Sequence, residues 1–291
     1  MAYRHLSHLL LFVLSLGLAS PLLADTLDKI RRTGTLTIGW VGGNPPFGVA
    51  TAGSPEGYTL DICRQIAADL QTRLGLPALK IAYRETTWDT RFTALDTNDT
   101  DMDCSASTIT RDRLARYAFS PAFYVTGTRL LTRKADRIRA IDDLANQPIA
   151  LIRNTTGEKL VREYDAAASL GLVPVYVDDA EAGLAAVRDG KARAFALDDI
   201  ILYSQISAAA DGSALFEVVG PFLSIEPYGI MMRKNDAPFA AAVSDALASL
   251  LPTPKMPALY ARWFDTATLK VPLNRLTKET FTTPNREPAF P

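Results

Sequence analysis

Short runs of apolar and β-branched residues alternate along this chain with longer stretches in which apolar residues recur every three or four positions. The first pattern predicts strands and the second amphipathic helices. The run Thr35-Leu36-Thr37-Ile38-Gly39 predicts a strand, and a glycine- and proline-rich loop from Gly42 to Gly57 follows. Ile62, Cys63, Ile66, Leu70 and Leu74 then fall at helical spacing over residues 59–74, with Gly75 as the stop. Strands are predicted at 80–84, 101–104 and 123–132, with a short helix at 90–95. A second set follows: strand 149–152, helix 158–164, strand 173–177, helix 180–188 ended by Gly190, strand 194–197 and helix 200–208. Strand patterns cover 218–227 and 228–233, helical ones 237–250 and 257–264, and from Thr266 the prolines Pro272, Pro284, Pro288 and Pro291 predict an extended tail. Strand–helix alternation with short connections predicts an α/β fold of parallel sheets covered by helices. The 291 residues suffice for two compact units.

One apolar run has a different setting. Leu9 to Leu18 follows Arg4 and precedes Leu22-Leu23-Ala24, the succession of positive, apolar and small residues that marks a secretory signal, so the mature chain is expected to begin at Asp25. No later apolar run approaches the ~20 residues that span a bilayer. With Asp25 rather than cysteine after the cut, no lipid anchor is expected. The expected location is an oxidising compartment, most simply a bacterial periplasm.

Composition narrows the chemistry. With 48% hydrophobic residues and 31 Lys+Arg against 32 Asp+Glu, the chain is neither disordered nor a polyelectrolyte binder of nucleic acid. Its only histidines, His5 and His8, fall within the signal. A mature chain without histidine can run neither a Ser-His-Asp nor a Cys-His mechanism and cannot build a His-ligated zinc site. Cys63 and Cys104 are the only cysteines, either one disulfide or two buried thiols.

The acidic run from Asp96 to Asp103 lacks the glycine and glutamate of a calcium loop, having Cys104 and Thr110 at those positions, and reads as a solvated turn. Gly42-Gly43 and Gly48 match no phosphate-binding fingerprint. More informative is Ser105-Ala106-Ser107-Thr108-Ile109-Thr110-Arg111-Asp112-Arg113, which follows a predicted strand. Hydroxyls and backbone N–H groups at a strand's carboxyl end, with an arginine shortly after, suit a carboxylate, which a guanidinium binds bidentately. Asn154-Thr155-Thr156-Gly157 caps a helix whose N-terminus also favours an anion. Asp198-Asp199 closes another strand, where a carboxylate could hold an ammonium group. Together these ends describe a cleft for an amino acid zwitterion.

Further motifs extend the picture. Leu27 to Gly39, Pro46-Phe47, Gly57-Tyr58-x-x-Asp61, Thr108-Ile109-Thr110-x-x-Arg113, Phe119-Ser120, Gly190-Lys191-x-x-Ala194 and Ala196-Leu197-Asp198 resemble the periplasmic amino-acid-binding proteins of ABC importers, solute-binding family 3. Gly127-Thr128-Arg129-Leu130-Leu131-Thr132, Tyr228-Gly229 with Met232-Arg233-Lys234, and Arg262-Trp263-Phe264 are most similar to its glutamate/aspartate binders. The resemblance covers essentially the whole mature chain. It implies the type II periplasmic-binding-protein fold: two α/β lobes joined by two strand crossings, near 126–132 and 227–233, with the ligand between them. Residues 1–24 would be the signal peptide, 25–128 with 229–291 a discontinuous first lobe, and 129–228 the second. It also implies a disulfide between Cys63 and Cys104, worth roughly 2–4 kcal/mol.

The resemblance assigns Arg113 to the ligand α-carboxylate, with Thr108 and Thr156, and Asp198 to the α-ammonium. Trp88 falls where an aromatic lid covers the ligand side chain, and Arg91 matches an arginine used around an acidic one. Elsewhere the pattern departs: Val41 stands in place of an arginine, Ala180 of a histidine, Ala106 of a serine, and Trp88 itself of a small polar residue. The ligand is thus expected to be an L-amino acid, acidic or neutral, bound by a monomer that needs no cofactor and no metal and delivers it to a permease. The enzyme alternative on the same fold is a cyclohexadienyl dehydratase acting on arogenate or prephenate. Its general acid would have to come from Glu85 or Asp89.

Overall fold

A computed structural model of the chain describes residues 25–288; the signal expected over 1–24 lies outside the described residues. The chain opens with α1 (Thr26–Thr33), whose first turn is capped by the Asp25 carboxylate accepting from Leu27 N–H at 2.9 Å. There follow β1 (Thr35–Val41), α2 (Tyr58–Arg73), β2 (Lys80–Thr86), α3 (Thr90–Asp96), β3 (Met102–Asp103), α4 (Arg111–Arg116) and β4 (Tyr117–Phe119). β5 (Tyr124–Thr126) leads away to β6 (Thr128–Arg133), β7 (Pro148–Ile152), α5 (Thr156–Ala168), β8 (Val173–Val177), α6 (Ala180–Arg188), β9 (Ala194–Asp198), α7 (Asp199–Ala208), α8 (Gly212–Leu215) and β10 (Phe216–Val219). β11 (Glu226–Tyr228) brings the chain back to β12 (Met231–Arg233), α9 (Ala237–Leu250), α10 (Lys255–Phe264) and α11 (Arg275–Thr282).

These strands form two five-stranded sheets, ordered β2-β1-β3-β12-β4 and β10-β6-β9-β7-β8, bridged by the antiparallel pair β5–β11. Each sheet has a parallel centre, β1 with β2 and β3 in one and β7 with β8 and β9 in the other. The strands that arrive from the opposite sheet, β12 and β6, enter antiparallel. This is the expected two-lobe α/β architecture with two crossings.

In the first lobe Leu36, Ile38, Ile62, Ile66, Leu70, Phe239 and Leu247 are all buried, so the helical stripe read from α2 faces the sheet. Each such side chain withdrawn from water contributes ~1.5–3 kcal/mol. Leu130, Ile149, Leu151, Val161 and Ala196 form the matching cluster in the second lobe. Cys63 on α2 and Cys104 at the end of β3 are disulfide-bonded, which resolves the choice between a bridge and two thiols.

Three expectations about elements are corrected. The single strand expected over 123–132 is broken at Gly127, where a Cβ would lie 2.1 Å from the Ser224 carbonyl oxygen of the returning crossing. The strand expected over 218–227 stops at Val219, because Gly220 takes φ +78° ahead of Pro221, and extended pairing resumes only at Glu226. The tail expected from Thr266 contains α11: Asn274 accepts from Thr277 N–H at 2.8 Å to cap it, and Pro272 and Pro284 flank the helix without interrupting it.

Candidate functional site

The carboxyl ends of β3 and β9, the N-terminus of α5 and the crossing β11 converge between the two sheets. On the first-lobe side, β3 ends at Asp103, which is 1% exposed. Ser105 Oγ donates to its Oδ1 at 2.7 Å and Ser107 Oγ to its Oδ2 at 2.6 Å. Arg91, on α3 and 2% exposed, donates from Nη1 to Ser107 Oγ at 2.8 Å, so one hydroxyl links a buried cation to a buried anion. The Arg91 guanidinium lies 5.0 Å from the Trp88 ring centroid and 4.9 Å from that of Phe92. Its Nε has no hydrogen-bond partner among the described residues. Burial lowers the Arg91 pKa, opposed chiefly by the Asp103 charge.

Thr110 caps α4 by accepting from the N–H of Arg113 at 3.1 Å, and this fixes where the arginine starts. The Arg113 guanidinium donates from Nη1 to the Thr108 carbonyl at 2.9 Å and stands 5.4 Å from the Phe92 ring. No carboxylate among the described residues forms a salt bridge with it. Burial first, and then the neighbouring Arg91 charge, hold its pKa down at about 9, so it remains charged at neutral pH and would be stabilised by an anion.

The second lobe supplies Thr156, first residue of α5, and Asp198, last residue of β9. Asp198 Oδ2 accepts from the Tyr228 hydroxyl, and Thr128 Oγ1 lies 3.5 Å from Oδ1. Burial raises the Asp198 pKa well above the carboxylate range, and the nearby Glu226 charge pushes the same way. A cation brought to this carboxylate would reverse that shift.

Glu226 is the residue that the motifs did not single out. It is 1% exposed on β11, and its Oε2 accepts from Thr108 at 2.7 Å and from Thr156 at 2.6 Å, one hydroxyl from each lobe. A signal was present in the sequence: in Glu226-Pro227-Tyr228 the alternation of an extended strand places the acid on the same side as Tyr228.

The residues singled out from the sequence are thus brought into two adjoining groups. Arg113 and Thr108 meet Thr156 through Glu226, with Asp198 joined to them by Thr128, and Trp88 packs on Arg91. Val41 ends β1, Ala106 follows Ser105 and Ala180 opens α6; all three are buried and supply no polar side-chain atom. The two acids considered for an enzyme, Glu85 and Asp89, are exposed, and Asp89 accepts from the Asn154 side-chain amide across the rim of the cleft. Lys159 and Asp112 pair across the same rim at 2.5 Å. These rim residues, with Phe92, Arg113 and Thr156, line a cavity of about 520 Å³, whereas Asp198, Trp88 and Arg91 lie outside its lining.

Residues 36–266 match the bacterial extracellular solute-binding proteins, family 3. The chain is 31% identical over 253 residues to the L-glutamate/L-aspartate-binding protein of Pseudomonas aeruginosa, covering 85% of this chain and 83% of that one. Among solved structures, a mutant of ArgBP from T. maritima is similar with a TM-score of 0.72 at 27% identity, over 82% of this chain and 99% of the other. An ancestral amino acid-binding protein, described as a precursor of cyclohexadienyl dehydratase, is similar with a TM-score of 0.70 at 27% identity, over 82% and 99%. Matched along most of its length in both sequence and fold, the chain belongs to family 3 of the bacterial extracellular solute-binding proteins.

Proposed function

We propose that this protein is a periplasmic receptor that closes on one L-amino acid and presents it to the permease of an ABC importer. The observation that carries the reading is the pairing of Arg113, which has no carboxylate partner among the described residues and donates to the Thr108 carbonyl, with the buried Asp198, whose pKa burial raises, on opposite sides of one interlobe cleft. A zwitterion corrects both at once. Its α-carboxylate takes the free donors of Arg113 with Thr108 and Thr156, its ammonium goes to Asp198, and its side chain lies towards Trp88 and Arg91. Two such charged contacts and an aromatic one are compatible with micromolar affinity, about −8 kcal/mol.

Arg91 and the glutamate/aspartate-binding relative favour an acidic ligand. Val41, Ala106 and Ala180, which replace polar or cationic positions, favour a neutral one. Residues 25–128 with 229–291 would form one lobe, 129–228 the other, and the chain would act as a monomer after loss of residues 1–24. The Cys63–Cys104 bridge agrees with an oxidising compartment. The receptor reading is preferred to a dehydratase because the relative matched over 85% of the chain is a binding protein, and the acids considered for proton transfer, Glu85 and Asp89, are exposed to solvent. Isothermal titration against the twenty L-amino acids tests it: saturable heat from one or a few supports the receptor, and none from any sinks it. Formation of an aromatic product from arogenate or prephenate would instead favour the enzyme.

A further inference from the structure

The acid with the most hydrogen-bond donors in the cleft is one that the receptor reading leaves idle. Glu226 accepts four hydroxyl protons, at Oε1 from Thr128 (3.0 Å) and Ser224 (2.8 Å) and at Oε2 from Thr108 (2.7 Å) and Thr156 (2.6 Å). The last two hydroxyls belong to opposite lobes and are the ones assigned above to the ligand's α-carboxylate. A hydroxyl carries a single proton. Thr108 and Thr156 therefore cannot donate to Glu226 and to a ligand carboxylate at the same time.

We propose that Glu226 is a resident competitor for the ligand's carboxylate: its Oε2 holds the Thr108 and Thr156 protons across the cleft, and a bound amino acid must take them away. The proposal rests on the receptor reading for the identity of the rival carboxylate. While Oε2 is displaced, Oε1 keeps Thr128 and Ser224, both of them beside the crossings, so the side chain retains half its donors during the exchange. The competition lowers affinity, and it favours ligands whose acceptor is fully charged. A neutral ester or amide is a weaker acceptor than the carboxylate it would have to displace. It also supplies two bonds that draw the lobes together on Glu226 rather than on ligand.

Two variants test this. Glu226→Gln is isosteric and retains one acceptor oxygen, which frees hydroxyl protons for ligand; Glu226→Ala frees all four. Each is titrated with the amino acid that gives the largest heat with the unmodified protein, and at least tenfold tighter binding is expected in both. A second arm needs no amino acid. Sodium acetate should raise the Tm of Glu226→Ala, whose four hydroxyls have lost their acceptor, by more than that of the unmodified protein, where, of the groups assigned to the carboxylate, Arg113 alone offers free donors. Unchanged or weaker amino acid binding in both variants, or equal acetate shifts in the two proteins, overturns the proposal. If the unmodified protein binds none of the twenty amino acids, the receptor reading fails on its own and the acetate comparison alone decides. If Glu226→Ala does not fold, Glu226→Gln carries both arms.

Discussion

Replacing Arg113 gives the sharpest test of the cleft. One of its five N–H donors is committed to the Thr108 carbonyl at 2.9 Å, which aims the planar fork while leaving other donors free. A ligand carboxylate taken bidentately gains two charge-assisted bonds of ~1.5–3 kcal/mol each. Arg113→Ala removes both, roughly 3–6 kcal/mol, and at ~1.4 kcal/mol per decade the Kd should rise by about 10² to 10⁴. Arg113→Lys keeps the charge and one bond, so a loss of about 10- to 100-fold is expected. Stability should move little or upward. The folded pKa of about 9 lies below the ordinary guanidinium value, so burying this charge costs the ligand-free protein stability at all pH values below about 9. That cost is relieved only as the pH climbs from there towards the ordinary guanidinium value. Calorimetric titration beside a thermal melt reads both quantities. If Arg113→Lys binds within threefold of the unmodified protein while melting normally, the carboxylate does not sit on this fork.

Asp198→Asn should raise the Tm of the ligand-free protein, because it removes a carboxylate that burial disfavours, and should abolish amino acid binding. For the same reason binding should release a proton: the ammonium restores the charged form of Asp198, so affinity climbs as pH rises through the window between its bound and its raised free pKa. Titrations in buffers of different ionisation heat will show this, and proton uptake would contradict it. Arg91→Ala is expected to change the ranking of ligands in the same calorimetric panel without abolishing recognition of the α-carboxylate; an unchanged ranking would detach Arg91 from the side-chain subsite. Loss of the Cys63–Cys104 bridge, whose ends are 41 positions apart, should cost up to about 4 kcal/mol on the loop-closure scale. Denaturant unfolding of Cys63→Ala/Cys104→Ala measures that cost, and a midpoint equal to that of the oxidised protein would refute it.

Much of the architecture could be read from local patterns because burial and periodicity coincide there. The stripe Ile62, Ile66, Leu70 is both helically spaced and buried, and the runs at 149–152 and 194–197 are apolar because strands between neighbours bury both faces. What escaped depends on distant chain. Nothing near Gly127 announces that the Ser224 carbonyl approaches it, so the break between β5 and β6 was invisible. The proline-containing tail hid α11 because prolines outside a helix look, by composition alone, like prolines that forbid one. At the site, Arg113, Thr108, Thr156 and Asp198 were legible as polar ends of strands and helices. Glu226 carried only its alternation with Tyr228 as a signal, and an acid beside a proline looks like a solvated turn until hydroxyls from both lobes are seen to surround it.

The docking of α11 makes the two crossings mechanically unequal. Pro227 has no N–H to give to Val125, the residue opposite it on β5, and the backbone of Val125 is bonded on its other side. Its N–H donates to Thr277 Oγ1 at 3.0 Å and its carbonyl accepts from Asn274 Nδ2 at 2.9 Å. The outgoing crossing is therefore splinted by the last helix of the chain up to the doorstep of Gly127. A rotation of one lobe against the other would then be absorbed beyond that splint, around Gly127 and in the segment from Gly220 to Ser224. Trimming α11 is therefore expected to loosen the Val125 segment of the crossing without removing Arg113, Thr108, Thr156 or Asp198.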